Sequence, residues 1–173
     1  MGTANTMACM VETIGLSLPR CATMPALDHA RESLCRRSGQ RIVQLVRDGV
    51  QFRHILTESS LKNAVRVCLA IDGSTNATLH LPAVASENGA AVTLATFDWM
   101  SRQTPKIGNS RPASRLSVVD LHEAGGRPRP PAVTGGFLAL YSQLAQQANR
   151  GAVLSAAHAA HPREGCLPGI LNG

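Results

Sequence analysis

The sequence predicts a mainly helical chain with little strand, and three observations carry that expectation. Apolar residues recur at i, i+3, i+4 and i+7 in successive segments, where a half-buried strand would alternate them with polar residues. Thr and Asn stand before several of these patterns and Gly after them, which is the punctuation of helix starts and stops. Apolar side chains make up 44% and charged ones 16% of the 173 residues, enough to fill a core. A chain of this length can bury roughly 70% of its unfolded surface, which suits one domain or a piece of a larger one. With only five aromatics, that core must come from Leu, Val, Ile, Ala and Met.

About five helices are expected. Met7, Met10, Val11 and Ile14 form one apolar face of a first helix that opens after small and capping residues and stops at Gly15. A second runs from about Asp28 to Asp48, with Leu34, Cys35, Ile42, Val43 and Val46 expected to face inward and Gly49 to end it. Thr57 caps a third, whose inward stripe is Leu61, Ala64, Val65 and Cys68, ending near Ile71. The turn Asp72-Gly73-Ser74-Thr75-Asn76 leads into a fourth pattern through Leu79, Ala83 and Val84 to Gly89. Pro82 sits awkwardly there, since past the first turn it removes a hydrogen bond and costs about 3 kcal/mol or a kink. Thr93 caps a fifth helix carrying Leu94, Phe97 and Met100, and a short apolar segment from Leu116 to Leu121 ends at Gly125-Gly126. From Arg127 the chain turns Pro- and Arg-rich and then Ala-, Gly- and Gln-rich; Phe137 to Ala148 could form one more amphipathic helix.

Charge and composition exclude several functions. The net charge of +6 comes from 15 Arg and 2 Lys scattered among carboxylates rather than forming one basic stripe interleaved with aromatics, so no nucleic-acid partner is expected. No stretch reaches the roughly 18 apolar residues of a membrane span, and no basic start followed by an apolar run opens the chain, so no membrane partner and a cytoplasmic location are expected. The cysteines, Cys9, Cys21, Cys35, Cys68 and Cys166, are odd in number and widely spaced, which fits buried apolar side chains better than ligands or disulfides.

Two constellations could carry chemistry. In Met1-Gly2-Thr3-Ala4-Asn5-Thr6-Met7 a glycine and small hydroxyl residues open a helix. Its exposed N–H groups and positive dipole end suit an anion, although an ordinary capped start reads the same way. In Gly73-Ser74-Thr75-Asn76 three polar side chains fill a turn between helices, with His80 one turn on; they could edge a polar pocket or simply cap. No G-x-S-x-G, phosphate-loop or H-E-x-x-H pattern occurs, and His158 and His161 form the one close His pair.

Several segments read together resemble one family. MGTANTMACMVETIGLSLP (1 to 19), SGQRIVQLV (38 to 46), ILTESSLKNAVRV (55 to 67), DGSTNATLHL (72 to 81) and the RPAS and DLHEAGG elements between 111 and 126 follow the order and spacing of dihydroxy-acid and sugar-acid dehydratases. That resemblance implies an α/β fold, with residues 1–126 forming part of the N-terminal α/β domain, and it stops after Gly126. It also implies a hydro-lyase that takes a 2,3-dihydroxy acid to a 2-oxo acid and water, using an iron-sulfur cluster and magnesium, in an enzyme that is a homo-oligomer.

The resemblance places those primary groups elsewhere. The last cluster cysteine of the family lies three residues before the methionine matched by Met1, and the magnesium ligands and serine base lie upstream and downstream. By position, Gly2, Thr3 and Ala4 would line the cluster approach, while Ser74, Thr75 and Asn76 would support the pocket edge. No catalytic residue, metal ligand or cofactor is therefore expected of this chain alone. It is expected to be an internal, inactive fragment whose residues 127–173 are a divergent, poorly ordered tail from a shifted reading frame. Two other readings stand beside this one: a sugar-acid dehydratase relative, toward which the MGTA start leans, and a non-catalytic small anion-binding module.

Overall fold

A computed structural model describes residues 1–106, 108–112 and 114–126. Seven helices account for the regular structure of these residues, with no strand among them: α1 (Thr3–Ile14), α2 (Ala30–Arg47), α3 (Phe52–Ile55), α4 (Glu58–Ala70), α5 (Ala77–Glu87), α6 (Leu94–Ser101) and α7 (Val118–Gly126). The segment from Phe137 to Ala148 and the His158–His161 pair lie outside the described residues.

Helices α1 and α4 form the central pair, and α5 and α6 close around them. Met10 and Ile14 of α1 meet Leu61, Ala64, Val65 and Cys68 of α4 in one apolar cluster, which Leu81, Phe97 and Met100 complete. Local signals fix both members. The α1 helix ends in a Schellman motif: the Gly15 N–H bonds the Glu12 carbonyl and the Leu16 N–H bonds the Val11 carbonyl. Gly15 there adopts φ 99°, which a side chain would resist. At the start of α4, Thr57 and Ser60 exchange bonds, each hydroxyl accepting from the other's backbone N–H at 3.1 and 2.9 Å.

Two inward faces differ from the sequence pattern. In α2 only Leu34 is buried, while Ile42, Val43 and Val46 are 57%, 50% and 71% exposed and Cys35 is exposed too. The helix is held at its ends, by Leu34 and by Arg31 donating to the Met24 and Pro25 carbonyls at one and by Val50 against the core at the other. Periodicity identifies an apolar face but not whether this chain supplies its cover. In α5 the buried stripe is Ala77, Leu81 and Ala85, so Leu79, Ala83 and Val84 point outward. Small residues there let α5 approach α1 and α4 closely, and the larger side chains are left for the open side. Leu94 likewise turns out of α6. Pro82 lies inside α5, which continues through it to Glu87.

One buried carboxylate organises the turn after α1. Glu12, 2% exposed, accepts the backbone N–H groups of Arg20 and Ala22, each at 2.8 Å. This pins a loop in which Arg20 takes φ 72°. Burial raises the Glu12 pKa above the usual glutamate value, and the backbone donors at Ala22 and Arg20 oppose that rise. The folded chain then holds this proton more tightly than the unfolded chain. The group's contribution is therefore fully present below the ordinary glutamate value and is lost as pH rises through the raised folded value. Urea unfolding across the mildly acidic range should show stability falling with rising pH, and Glu12→Gln should flatten that slope. A slope of the opposite sign, or one untouched by the substitution, would contradict the assignment.

Candidate functional site

The fold brings the two polar constellations into contact although 71 residues separate Thr3 from Ser74. The α4–α5 turn reverses direction through Asp72 at φ 57° and places Gly73 against α1. A Cβ at Gly73 would stand 2.7 Å from Cys68 Sγ and 2.8 Å from Thr6 Cγ2, so glycine is what allows the turn to touch the helix. Beyond it, Ser74 lies over the first turn of α1.

The bonding is specific. Thr6, fully buried, donates its hydroxyl to the Gly2 carbonyl at 2.9 Å and accepts the Ser74 backbone N–H at 2.9 Å. Thr3 Oγ1 accepts from Asn76 Nδ2 at 2.7 Å and shares a bond with Ser74 Oγ at 3.1 Å. Ser74 Oγ also accepts the Asn76 N–H at 3.3 Å. The Thr3 and Ser74 hydroxyls bring two protons to the single bond between them, so whichever donates, the other keeps an O–H for solvent or a ligand.

Of the six residues singled out in the sequence, Thr3, Ser74 and Asn76 thus converge through their side chains, and Gly2 joins through its carbonyl. Ala4 and Thr75 are exposed and add no side-chain bond; the Thr75 carbonyl accepts from Thr78. His80 is exposed on α5. Thr6, part of the hydroxyl-rich helix start but not among those six, is the residue that bonds the turn to α1. It lies one helical turn after Thr3 on the same face, and that spacing was the available signal.

Beside this junction a groove of about 690 Å³ is lined by Met1, Gly2, Arg111, Pro112, Ser114 and Arg115. The Met1 amino group bonds the Arg111 carbonyl, and Arg111 Nε donates to the Arg115 carbonyl at 3.1 Å. Gly2 caps α1 without a side-chain bond and the first turn holds no acid, so that helix pole has no anionic partner of its own.

The described residues do not fit an iron-sulfur cluster or magnesium. No three His, Cys, Asp or Glu among them converge as a metal site. Burial pushes the Cys68 thiol up to about 11 and also raises Cys21, so neither is poised as a thiolate ligand. Cys35 is exposed on α2, and Cys9 is buried in α1. Neither group finds a set of ligands among these residues.

Replacing Thr6 with Val keeps its shape but leaves the Ser74 N–H and the Gly2 carbonyl without this partner. The expected cost is about 1–3 kcal/mol in denaturant unfolding, with amide exchange accelerating at Ser74 before the core of α4. Unchanged exchange at Ser74 would mean that the bond does not hold the junction.

A family model described as "Dihydroxy-acid/6-phosphogluconate dehydratase N-terminal" matches residues 1–145. The dihydroxy-acid dehydratase of Methanococcoides burtonii is 48% identical over 126 residues, covering 73% of this chain and 23% of the relative. That of Geobacter metallireducens is 48% identical over 124 residues, covering 72% and 22%, and that of Methanococcus maripaludis is 45% identical over 127 residues, covering 73% and 23%. The chain thus spans less than a quarter of the length of these curated relatives. No helix among the described residues is long and apolar enough to cross a membrane. The GSTN turn and the MGTA start, brought together by the packing of α1 on α4, lie within the matched stretch, and the chain belongs to the dihydroxy-acid/6-phosphogluconate dehydratase family, in its N-terminal domain.

Proposed function

We propose that residues 1–126 supply the part of a dehydratase N-terminal domain that flanks a metal centre, in an enzyme that removes water from a 2,3-dihydroxy carboxylic acid. Loss of the hydroxyl and a proton gives an enol that relaxes to a 2-oxo acid. The convergence of Thr3, Ser74 and Asn76 at the start of α1 carries this reading. In the family a cluster cysteine precedes the position of Met1 by three residues, so this junction would fix the chain leading to the cluster. The spare hydroxyl proton would face the approach to it. The α/β domain, the cluster, the magnesium ion, the base and any homo-oligomeric assembly belong to the whole enzyme in this reading. The chain by itself is inactive and binds neither metal. High identity to dihydroxy-acid dehydratases favours branched dihydroxy acids as the substrate class over sugar acids.

A chimera tests this directly. Residues 1–126 replace the matching stretch of a curated relative, and turnover of 2,3-dihydroxy-3-methylbutanoate and of aldonates is measured with iron and acid-labile sulfide content. An active chimera is expected, with Asn76→Ala lowering kcat about 10- to 100-fold at unchanged cluster content. An active chimera indifferent to Asn76→Ala and Ser74→Ala would sink the role given to the junction.

A second reading, a metal-free anion-binding module, is favoured by the groove where Arg111 and Arg115 stand beside the uncapped pole of α1. Its mark would be saturable binding of inorganic phosphate in metal-free buffer, shifting the Thr3 and Ala4 amide resonances and abolished by Arg111→Ala with Arg115→Ala. Absence of saturation removes it.

A further inference from the structure

We propose that Cys21 and Cys35 form a redox-sensitive dithiol, which a small disulfide closes into a bond joining the loop after α1 to α2. Two clamps bring these cysteines together. The Glu12 carboxylate accepts the backbone N–H groups of Arg20 and Ala22 at 2.8 Å each, so the residue between them is fixed in place. Ala22 turns into the core beside Cys9, while Cys21 stays half-buried. From α2, Arg31 reaches back over the same loop and donates to the Met24 carbonyl at 2.7 Å and to the Pro25 carbonyl at 3.3 Å. Cys35 stands one helical turn beyond Arg31 on the same face of α2, the spacing at which side chains are neighbours. Cys21 lies close to both, since the charges of Arg31 and Cys35 each act on its thiol.

Their surroundings give the two thiols different parts. Cys35 is exposed and open to a reagent from solution. The Cys21 thiol is raised by burial, then by the Glu12 carboxylate and by Cys35, with Arg31 opposing, so it is the poorer first nucleophile. In the first step the Cys35 thiolate attacks one sulfur of the small disulfide, whose S–S bond breaks and releases one small thiolate. In the second, Cys21 gives its proton to solvent and attacks Cys35 Sγ, expelling the second small thiolate. The protein loses two electrons and two protons, and the small disulfide becomes two thiols.

The bond ties down a helix that little else in these residues holds. Leu34 is the buried side chain of α2, and its start meets the loop through Arg31. A covalent link one turn beyond Arg31 closes a short ring through Asp28 and fixes the corner between loop and helix, at the cost of freedom in the unfolded chain. In a reducing compartment such a pair opens and closes with the redox poise instead of standing as a permanent staple.

The test treats the reduced full 173-residue chain with oxidised glutathione, alkylates the remaining thiols and digests with trypsin, which cuts between the two cysteines at Arg31. Peptides 21–31 and 32–36 should appear linked, and dithiothreitol should separate them. In guanidinium chloride the linkage should scatter, because Cys9 is then accessible and stands nearer to Cys21 along the chain. Cys21→Ser should stop the reaction at the mixed disulfide on Cys35, with circular dichroism unchanged. A Cys35 that takes up no glutathione, or one that holds it in the unsubstituted chain without closing the ring, would overturn the proposal. So would a linkage that runs to Cys9, Cys68 or Cys166, or a Cys21–Cys35 yield no higher in the folded chain than in the unfolded one.

Discussion

The contact of α1 with α4 is the constraint from which the other features follow. Two amphipathic helices, separated in sequence by the whole of α2 and α3, bury Met10, Leu61, Val65 and Cys68 against one another. That burial sets the height at which the α4–α5 turn meets α1. Because Gly73 carries no side chain, the turn can close to bonding distance of Thr6. The polar junction is thus a consequence of apolar packing. A longer residue at 73 would push Ser74 and Asn76 off Thr3 without touching either of them.

A second contact ties the later chain to the same pair. Ile71, Ala70 and Val67 at the end of α4 pack with Cys9 of α1, and Leu121 of α7 rests against them. Gly108 donates its N–H to the Ala70 carbonyl at 2.8 Å and runs so near Ile71 that a Cβ would stand 3.0 Å from its Cα. On the same side of the molecule Thr23 bonds His122 Nδ1 at 2.9 Å, joining the loop clamped by Glu12 to α7. The arginines of the groove therefore stand beside Gly2 because the segment carrying them is moored to α4 and α1, not because of any local motif.

The central helices were legible in the sequence because every one of their signals agrees. Gly15 and Thr57 mark an end and a start, and the stripes through Met10 and Leu61 are wide enough to name the buried face. α5 was placed correctly but rotated, since its buried stripe of Ala77, Leu81 and Ala85 is less apolar than the Leu79 and Val84 it exposes. Periodicity weights size, whereas close packing here selects smallness. In α2 the reading of the face was sound and the inference of burial within this chain was not. Both halves of the polar site could be read from helix-start chemistry. Their meeting could not, because it depends on a crossing that no local pattern records.

The same physics bears on the supporting role proposed for the junction. Every partner in it is a neutral hydroxyl, amide or backbone group, and the nearby cations Arg111 and Arg115 sit on an exposed rim. Neutral donors that bond one another hold geometry at little desolvation cost, whereas a buried carboxylate there would need its own donors. The buried carboxylate of Glu12 lies at the other end of α1, where two backbone N–H groups absorb its oxygens. Helix α1 accordingly keeps its charge-bearing group for structure at its C-terminal end and presents only dipoles at its N-terminal end. Under the proposed role, the charge at such a site would come from a metal and a substrate held by the rest of the enzyme.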